Sequence, residues 1–308
     1  MSLLAHRAAA DTVARAMQLG TTLGARRMAS AARSRLPEFA CLTEVITVPT
    51  SIGPTRATLY RPTTGDDPAV HVNLHGGGYI LGLTDLDDPL CRAVASQSGA
   101  VLVNVDYAIA PQHRFPTAAR QVHEVLLWVA DKGSDHGWSG GRLSVGGQSA
   151  GGGLAAAGAR LALEEGGPPL ALQVLHYPPL DLSVPVSTKR SVIAKPILRP
   201  WMGDVFDTAY APDPMMRTDR LISPAGIADT DHIAGIAPAV VIAAEHDILR
   251  DEARRYADRL DRVGALVDYH EVARADHGYD LKDDVAARET YALIAGHIRQ
   301  SHAHSGGS

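Results

Sequence analysis

The sequence predicts an α/β fold: a mostly parallel, eight-stranded sheet flanked by helices and carrying a helical cap. Three observations predict it. Eight short runs rich in Val, Ile, Leu and Ala are bounded by turn residues, as strands are. From the third run onward they alternate with longer helix-forming stretches, which is the rhythm of a doubly wound parallel sheet. One segment, 184–219, breaks that rhythm with Pro185, Pro196, Pro200, Pro212 and Pro214.

The elements follow in chain order. Residues 1–36 carry Arg7, Arg15, Arg26, Arg27, Arg33 and Arg35 against a single acid, Asp11. Such a composition also occurs in organellar transit peptides. The Ala content favours instead an amphipathic helix pair docked on the folded body. Thr43–Val48 and Arg56–Tyr60 read as two strands joined at Gly53-Pro54, and Val70–Leu74 as a third with alternating apolar positions. Val101–Val105, Leu143–Val145, Leu172–Tyr177, Ala239–Ala244 and Val267–Val272 read as the remaining strands, several of them continuous apolar runs as in buried parallel sheets. Helices are predicted over Asp87–Ser98, Thr117–Asp131, Ala150–Glu164, Asp251–Val263 and Asp284–Arg299. The domain plan is thus cap helices at 1–40, a core formed by 41–183 and 220–300, a lid-like cap insertion at 184–219, and a polar tail at 301–308 that should fray.

Composition narrows the function. The chain has 308 residues, 45% hydrophobic and 20% charged, with Lys plus Arg at 29 and Asp plus Glu at 34, a net charge of −5. This is a globular composition. A mildly acidic chain without a long basic run is a poor nucleic-acid binder. No apolar stretch is long enough to span a membrane, and the N-terminus lacks a secretory signal's compact apolar region. Cys41 and Cys91 are far apart and form no metal-binding pair; free thiols in a reducing, cytoplasmic compartment are expected. No histidine or cysteine spacing indicates a metal site.

Two motifs carry chemistry. Gly147-Gln148-Ser149-Ala150-Gly151 fits G-x-S-x-G, with a strand before it and a helix after it. A sharp strand-to-helix turn strains the serine backbone and lifts its hydroxyl above the sheet, and side chains two residues either side would clash. The alternative reading is a plain glycine-rich turn. His75-Gly76-Gly77-Gly78 directly follows the third strand, where bare glycine N–H groups could approach an oxyanion. A phosphate-cradling loop would need a GK[ST] or GxGxxG sequence, and none follows. Two motifs in the right order, each after a strand, point to acyl transfer with Ser149 as nucleophile.

Behind such a turn the acid and base follow in the order Ser, Asp or Glu, His. The strand Ala239–Ala244 ends in Glu245-His246-Asp247, and Asp247 is the candidate acid. Its rival Asp251 suits the first turn of the next helix. After the last strand comes Asp276-His277-Gly278, and His277 is the candidate base, with His246 second. Asp276 reads as a loop or capping residue. His6, His123, His136, His232, His297, His302 and His304 read as solvent-facing or locally bonded.

At this point the chain resembles the hormone-sensitive lipase family of α/β-hydrolases, in its microbial carboxylesterase branch. The resemblance is carried by HGGG at 75–78, DYAIAPQHRFPTA at 106–118, GGQSAGG at 146–152, AEHDILRDE at 244–252 and DHGY at 276–279, across roughly residues 43–300. It implies the α/β-hydrolase fold, a cap formed by the N-terminal helices and the 184–219 insertion, and no cofactor. It implies oxyanion donors at Gly77 and Gly78, beside the Ala150 N–H that the turn itself suggests. The substrate class it implies is esters of short to medium acyl chain, cleaved through an acyl-enzyme, and homodimers are common in such a family. Trp201, Phe206 and Tyr210 of the insertion are candidates for the substrate pocket. The same triad serves amides, carbamates and lactones, and some relatives without the histidine only bind ligands; His277 is present here. One departure stands out: Gln148 occupies the place of the family's Asp, and a change in local support or pH profile is expected from it.

Overall fold

The structure is a computed structural model and describes residues 3–63 and 67–304, without the side chain of His304. Eight strands form one sheet: β1 (Leu42–Val48), β2 (Thr55–Arg61), β3 (Ala69–Leu74), β4 (Val101–Val105), β5 (Ser139–Gln148), β6 (Leu170–His176), β7 (Ala239–Ala244) and β8 (Leu266–Val272). Their order is β1-β2-β4-β3-β5-β6-β7-β8. β1 and β2 pair antiparallel, as do β2 and β4, and every later pairing is parallel. Burial follows position. All residues of β3, β4 and β7 are buried, whereas the edge strands β1 and β8 are largely open. Continuous apolar runs therefore became central strands, covered on both faces by helices.

The helices are α1 (Arg7–Ser34), α2 (Asp88–Ser98), α3 (Thr117–Asp131), the short α4 (Gly133–His136), α5 (Ala150–Glu164), α6 (Pro200–Tyr210), α7 (Arg250–Arg262) and α8 (Asp284–His304). α7 shows why such a stretch is helical. Asp251 and Glu252 sit in its first turn and Arg259 and Arg262 in its last, each sign matched to the helix dipole. Its buried face is Glu252, Ala253, Tyr256, Ala257 and Leu260.

Three expectations are corrected. The N-terminal segment is one long helix rather than a pair. Gly20 and Gly24 cost it about 1 kcal/mol each, but no proline interrupts it, and Ala10, Ala14, Ala29 and Ala32 are buried as it packs along α6 and the core. It stops at Ser34, ahead of Leu36 in a left-handed conformation and Pro37. The expected fraying of 301–308 does not hold for 301–304, which continue α8; 305–308 lie outside the described residues. Of the reading of His302 and His123 as solvent-facing or locally bonded, the solvent-facing half fails. Both are buried, and His302 Nε2 meets the Ser144 hydroxyl of β5 at 3.1 Å.

Both cysteines are free thiols. Among the described residues no helix is long and apolar enough to cross a membrane, and no cluster of His, Cys, Asp and Glu could hold a metal ion.

Candidate active site

The site lies at the carboxyl ends of the central strands. β5 runs straight into α5 with Ser149 as the one residue between them, at φ 51° and ψ −122°. A serine in that region is strained by about 1–3 kcal/mol, and the surroundings must impose it. They do so closely. A Cβ at Gly151 would overlap the Leu74 carbonyl oxygen, and one at Gly147 would come within 2.5 Å of the same atom. The Ser149 N–H donates to the His176 carbonyl of β6 at 2.9 Å.

His277 and Asp247 converge on this serine from loops after β8 and β7. The Ser149 hydroxyl lies 2.8 Å from His277 Nε2, and His277 Nδ1 lies 2.7 Å from Asp247 Oδ2. The other oxygen of Asp247 accepts the Leu249 N–H at 3.0 Å, which fixes the carboxylate. Both His277 and Asp247 are buried. Burial alone pulls the imidazole down, but the charge and hydrogen bond of Asp247, with the charges of Asp276 and Asp280, outweigh it, and His277 is raised above an ordinary histidine. The rival groups are elsewhere. Asp251 is exposed and pairs with Arg250. The His246 carbonyl binds the Ser191 hydroxyl, and none of its atoms bonds to Ser149. Asp276 takes the His277 N–H on one oxygen and the Ile197 N–H on the other, so it joins the base loop to the insertion.

The loop after β3 closes the site. Gly77 and Gly78 have φ of 124° and 60°, and a Cβ at Gly78 would strike the Phe206 ring. Neither glycine gives its N–H to an acceptor among the described residues. Ala150 begins α5, so its N–H has no acceptor within the helix. Tyr79 is left-handed at φ 64° and is held by stacking on Tyr210, ring centroids 4.0 Å apart.

Gln148 explains itself in the folded chain. Its amide donates to Asp280 Oδ2 at 2.7 Å. Asp280 also accepts the hydroxyls of Tyr177 at 2.7 Å and Tyr291 at 2.8 Å, and it is fully buried. A carboxylate at 148 would face that of Asp280; an amide binds it.

Two cavities meet at Ser149. One of 170 Å³ is bounded by Gly76–Gly78, Leu81, Leu86, Met202, Phe206 and His277. A narrower one of 50 Å³ is bounded by Gly78, Tyr79, Leu182, Val186, Lys189, Phe206 and Asp207. Of the three aromatic candidates, Phe206 lines both. Tyr210 lines neither, because its ring is buried between Tyr79 and Phe115. Trp201 lines neither and is 43% exposed, since it faces away on the first turn of α6. The hydrophobic spacing in this segment was too short to show which side of α6 faces the site. Lys189 and Asp207 were not found from sequence; single charged residues in a proline-rich segment give no signal.

A family model described as alpha/beta hydrolase fold matches residues 71–281. Carboxylesterase NlhH of Mycobacterium tuberculosis is 37% identical over 223 residues, covering 71% of this chain and 69% of that protein. Esterase LipI of the same species is 36% identical over 234 residues, covering 74% and 71%. The solved structure of a hyperthermophilic esterase from the archaeon Pyrobaculum calidifontis superposes with a TM-score of 0.83 at 32% identity, covering 93% of each chain. The chain belongs to the α/β-hydrolase fold family, in its hormone-sensitive lipase branch.

Proposed function

We propose that this protein is a carboxylesterase that cleaves esters of short to medium acyl chain through an acyl-enzyme. The observation that carries the reading is the hydrogen-bonded series Ser149–His277–Asp247 at a strained strand-to-helix turn opening on an apolar cavity. The ester names of the relatives support it.

In this reading Ser149 Oγ attacks the ester carbonyl as His277 Nε2 takes its proton. Asp247 holds the Nδ1–H tautomer and stabilises the imidazolium. The oxyanion receives N–H groups of Gly77, Gly78 and Ala150, each such donor contributing about 3–4 kcal/mol. His277 returns the proton to the leaving alcohol, and a water activated by the same imidazole hydrolyses the acyl-serine. Every group needed is a side chain or backbone amide of this chain, so the chemistry calls for no cofactor. The two free thiols fit work in a reducing, cytoplasmic setting.

The test is hydrolysis of p-nitrophenyl acetate, butyrate, octanoate and palmitate by wild type and Ser149→Ala. Wild type should prefer the shorter chains, and the variant should lose about 10⁴- to 10⁶-fold in kcat. A folded wild type inert on all four would remove the ester reading.

A further inference from the structure

The narrow cavity beside Ser149 has apolar walls but two charged residues. Leu182, Val186, Leu198, Phe206, Ile248 and Leu249 supply the walls; Lys189 and Asp207 supply the charge. Lys189 is accounted for in part. Its ammonium pairs with the buried Glu252 at 2.5 Å and donates to the Asp181 carbonyl at 2.9 Å, which leaves one of its three N–H groups.

Asp207 is not accounted for. It sits on α6, is only 7% exposed, and its carboxylate accepts no hydrogen bond among the described residues. Its backbone carbonyl takes the Ala211 N–H in the ordinary helical way. The cations that act on it are Lys189 and Arg217, and Arg217 is bonded to the Ala211 carbonyl and the Thr208 hydroxyl. Its oxygens are not among the sealed, unpartnered atoms such as Asp11 Oδ1 and His75 Nε2, and the residue lines the cavity. Burial pushes this carboxyl up to about 7, against the opposing pull of Lys189 and Arg217 and with help from Glu252 and Asp204. A ligand that supplies a donor gives this carboxylate the hydrogen bond that the chain itself does not provide.

The mechanism says which part of an ester enters here. His277 must protonate the leaving alcohol, so the alcohol lies on its side. His277 and Gly278 bound the 170 Å³ cavity and not the 50 Å³ one. The acyl chain therefore points into the narrow cavity. About 10–15 Å³ of such space holds one water, so there is room for a few heavy atoms. The charges sort the chemistry at the far end. An ammonium would meet Lys189, and a carboxylate would meet Asp207. A neutral hydroxyl suits both: its proton goes to Asp207 and its oxygen can accept from the remaining N–H of Lys189.

We propose that the narrow cavity is a pocket for short hydroxyacyl groups, with the acyl hydroxyl donating a hydrogen bond to Asp207. The proposal rests on the esterase reading above. The net reaction is ester plus water to hydroxy acid plus alcohol, with the hydroxyl itself unchanged.

The test compares kcat/KM for p-nitrophenyl butyrate with that for its 2-hydroxy and 3-hydroxy analogues, each corrected for its alkaline hydrolysis rate. Wild type should favour the better hydroxy ester by about 10- to 100-fold, the range for a hydrogen bond to a charged group. Asp207→Leu should bring that ratio to about one, and Asp207→Asn, whose carbonyl still accepts, should keep part of it. No preference in wild type, or a preference that survives in Asp207→Leu, overturns the proposal. Should Asp207→Leu fail to fold, the wild-type ratio and Asp207→Asn decide. Failure of the esterase reading looks different: wild type would then cleave none of the three esters.

Discussion

The core wall of the site hangs on buried strands. Gly147 and Gln148 at the end of β5 are paired with Leu74 of β3 and with Leu175 and His176 of β6, and the loop carrying Asp247 leaves a strand with every residue buried. The cap wall has no strand at all. From 184 to 199 its only regular element is the single turn Val186–Thr188, and Val192 is 70% exposed. It is tied down by isolated bonds, such as the Ile197 N–H to Asp276 at 2.7 Å and the Phe115 N–H to the Tyr210 carbonyl at 3.0 Å. Groups that must hold a geometry within fractions of an ångström stand where movement is most costly, and groups that shape the cavity stand where a substitution is cheapest.

The largest effect that follows is on the core side. Asp247→Asn should lower kcat by about 10³- to 10⁴-fold, because the amide no longer holds His277 in the tautomer that accepts the serine proton. The fold should survive, since an asparagine carbonyl can still take the Leu249 N–H. Steady-state kinetics beside a thermal melt check this. A loss of similar size on truncating the exposed Trp201 would erase the contrast between the walls.

A smaller effect sharpens it. The proposed mechanism needs His277 neutral, and its pKa is raised by Asp247, Asp276 and Asp280 against the opposite pull of burial. Activity is therefore present above this raised value and lost as pH falls through it, so the acid limb of kcat/KM lies above that of an ordinary histidine. The Tyr177 ring lies against that of His277 in a tilted contact, centroids 4.8 Å apart, and His176 lies within its field. Asp280→Asn removes one of the three negative charges, and the acid limb should move to lower pH. The variant should also lose about 1–3 kcal/mol of stability, since Gln148, Tyr177 and Tyr291 all donate to that carboxylate. A limb that stays in place would assign Asp280 to the fold alone.

How much of this was legible in the sequence follows the same division. Each strand showed because β-branched runs between glycines and prolines have few other uses, and Ser149, Asp247 and His277 showed because each sits just past a strand end. β5 is longer than its apolar part: Ser139-Gly140-Gly141-Arg142 carries no strand signal, and of these only Ser139 pairs with β3, opposite Ala69, before the register shifts to Val70 and Leu143. Gln148 could be flagged as a departure, but its partner lies 132 residues away and no local rule connects them. In the insertion, composition showed that something irregular was there. It could not show that Phe206 turns inward while Trp201 turns out, because the facing surface is supplied by α1 and by the loop after β3.

The smallest expected effect tests the cap wall directly. The Ser191 hydroxyl donates to the His246 carbonyl at 3.2 Å and accepts the Ile193 N–H at 3.2 Å, so it pins the insertion to the loop that carries Asp247 without touching Ser149 or His277. Ser191→Ala removes both bonds, worth about 0.5–1.5 kcal/mol each. With no reacting group moved, kcat on p-nitrophenyl acetate should stay within about twofold, while KM for the butyrate should rise by several fold as the acyl pocket loses definition. Amide exchange separates the two walls independently: protection should fall across 184–199 and stay unchanged along β5 and β7. A fall in kcat with unchanged KM would mean that the cap positions the reacting groups themselves, and the two walls would then be one machine.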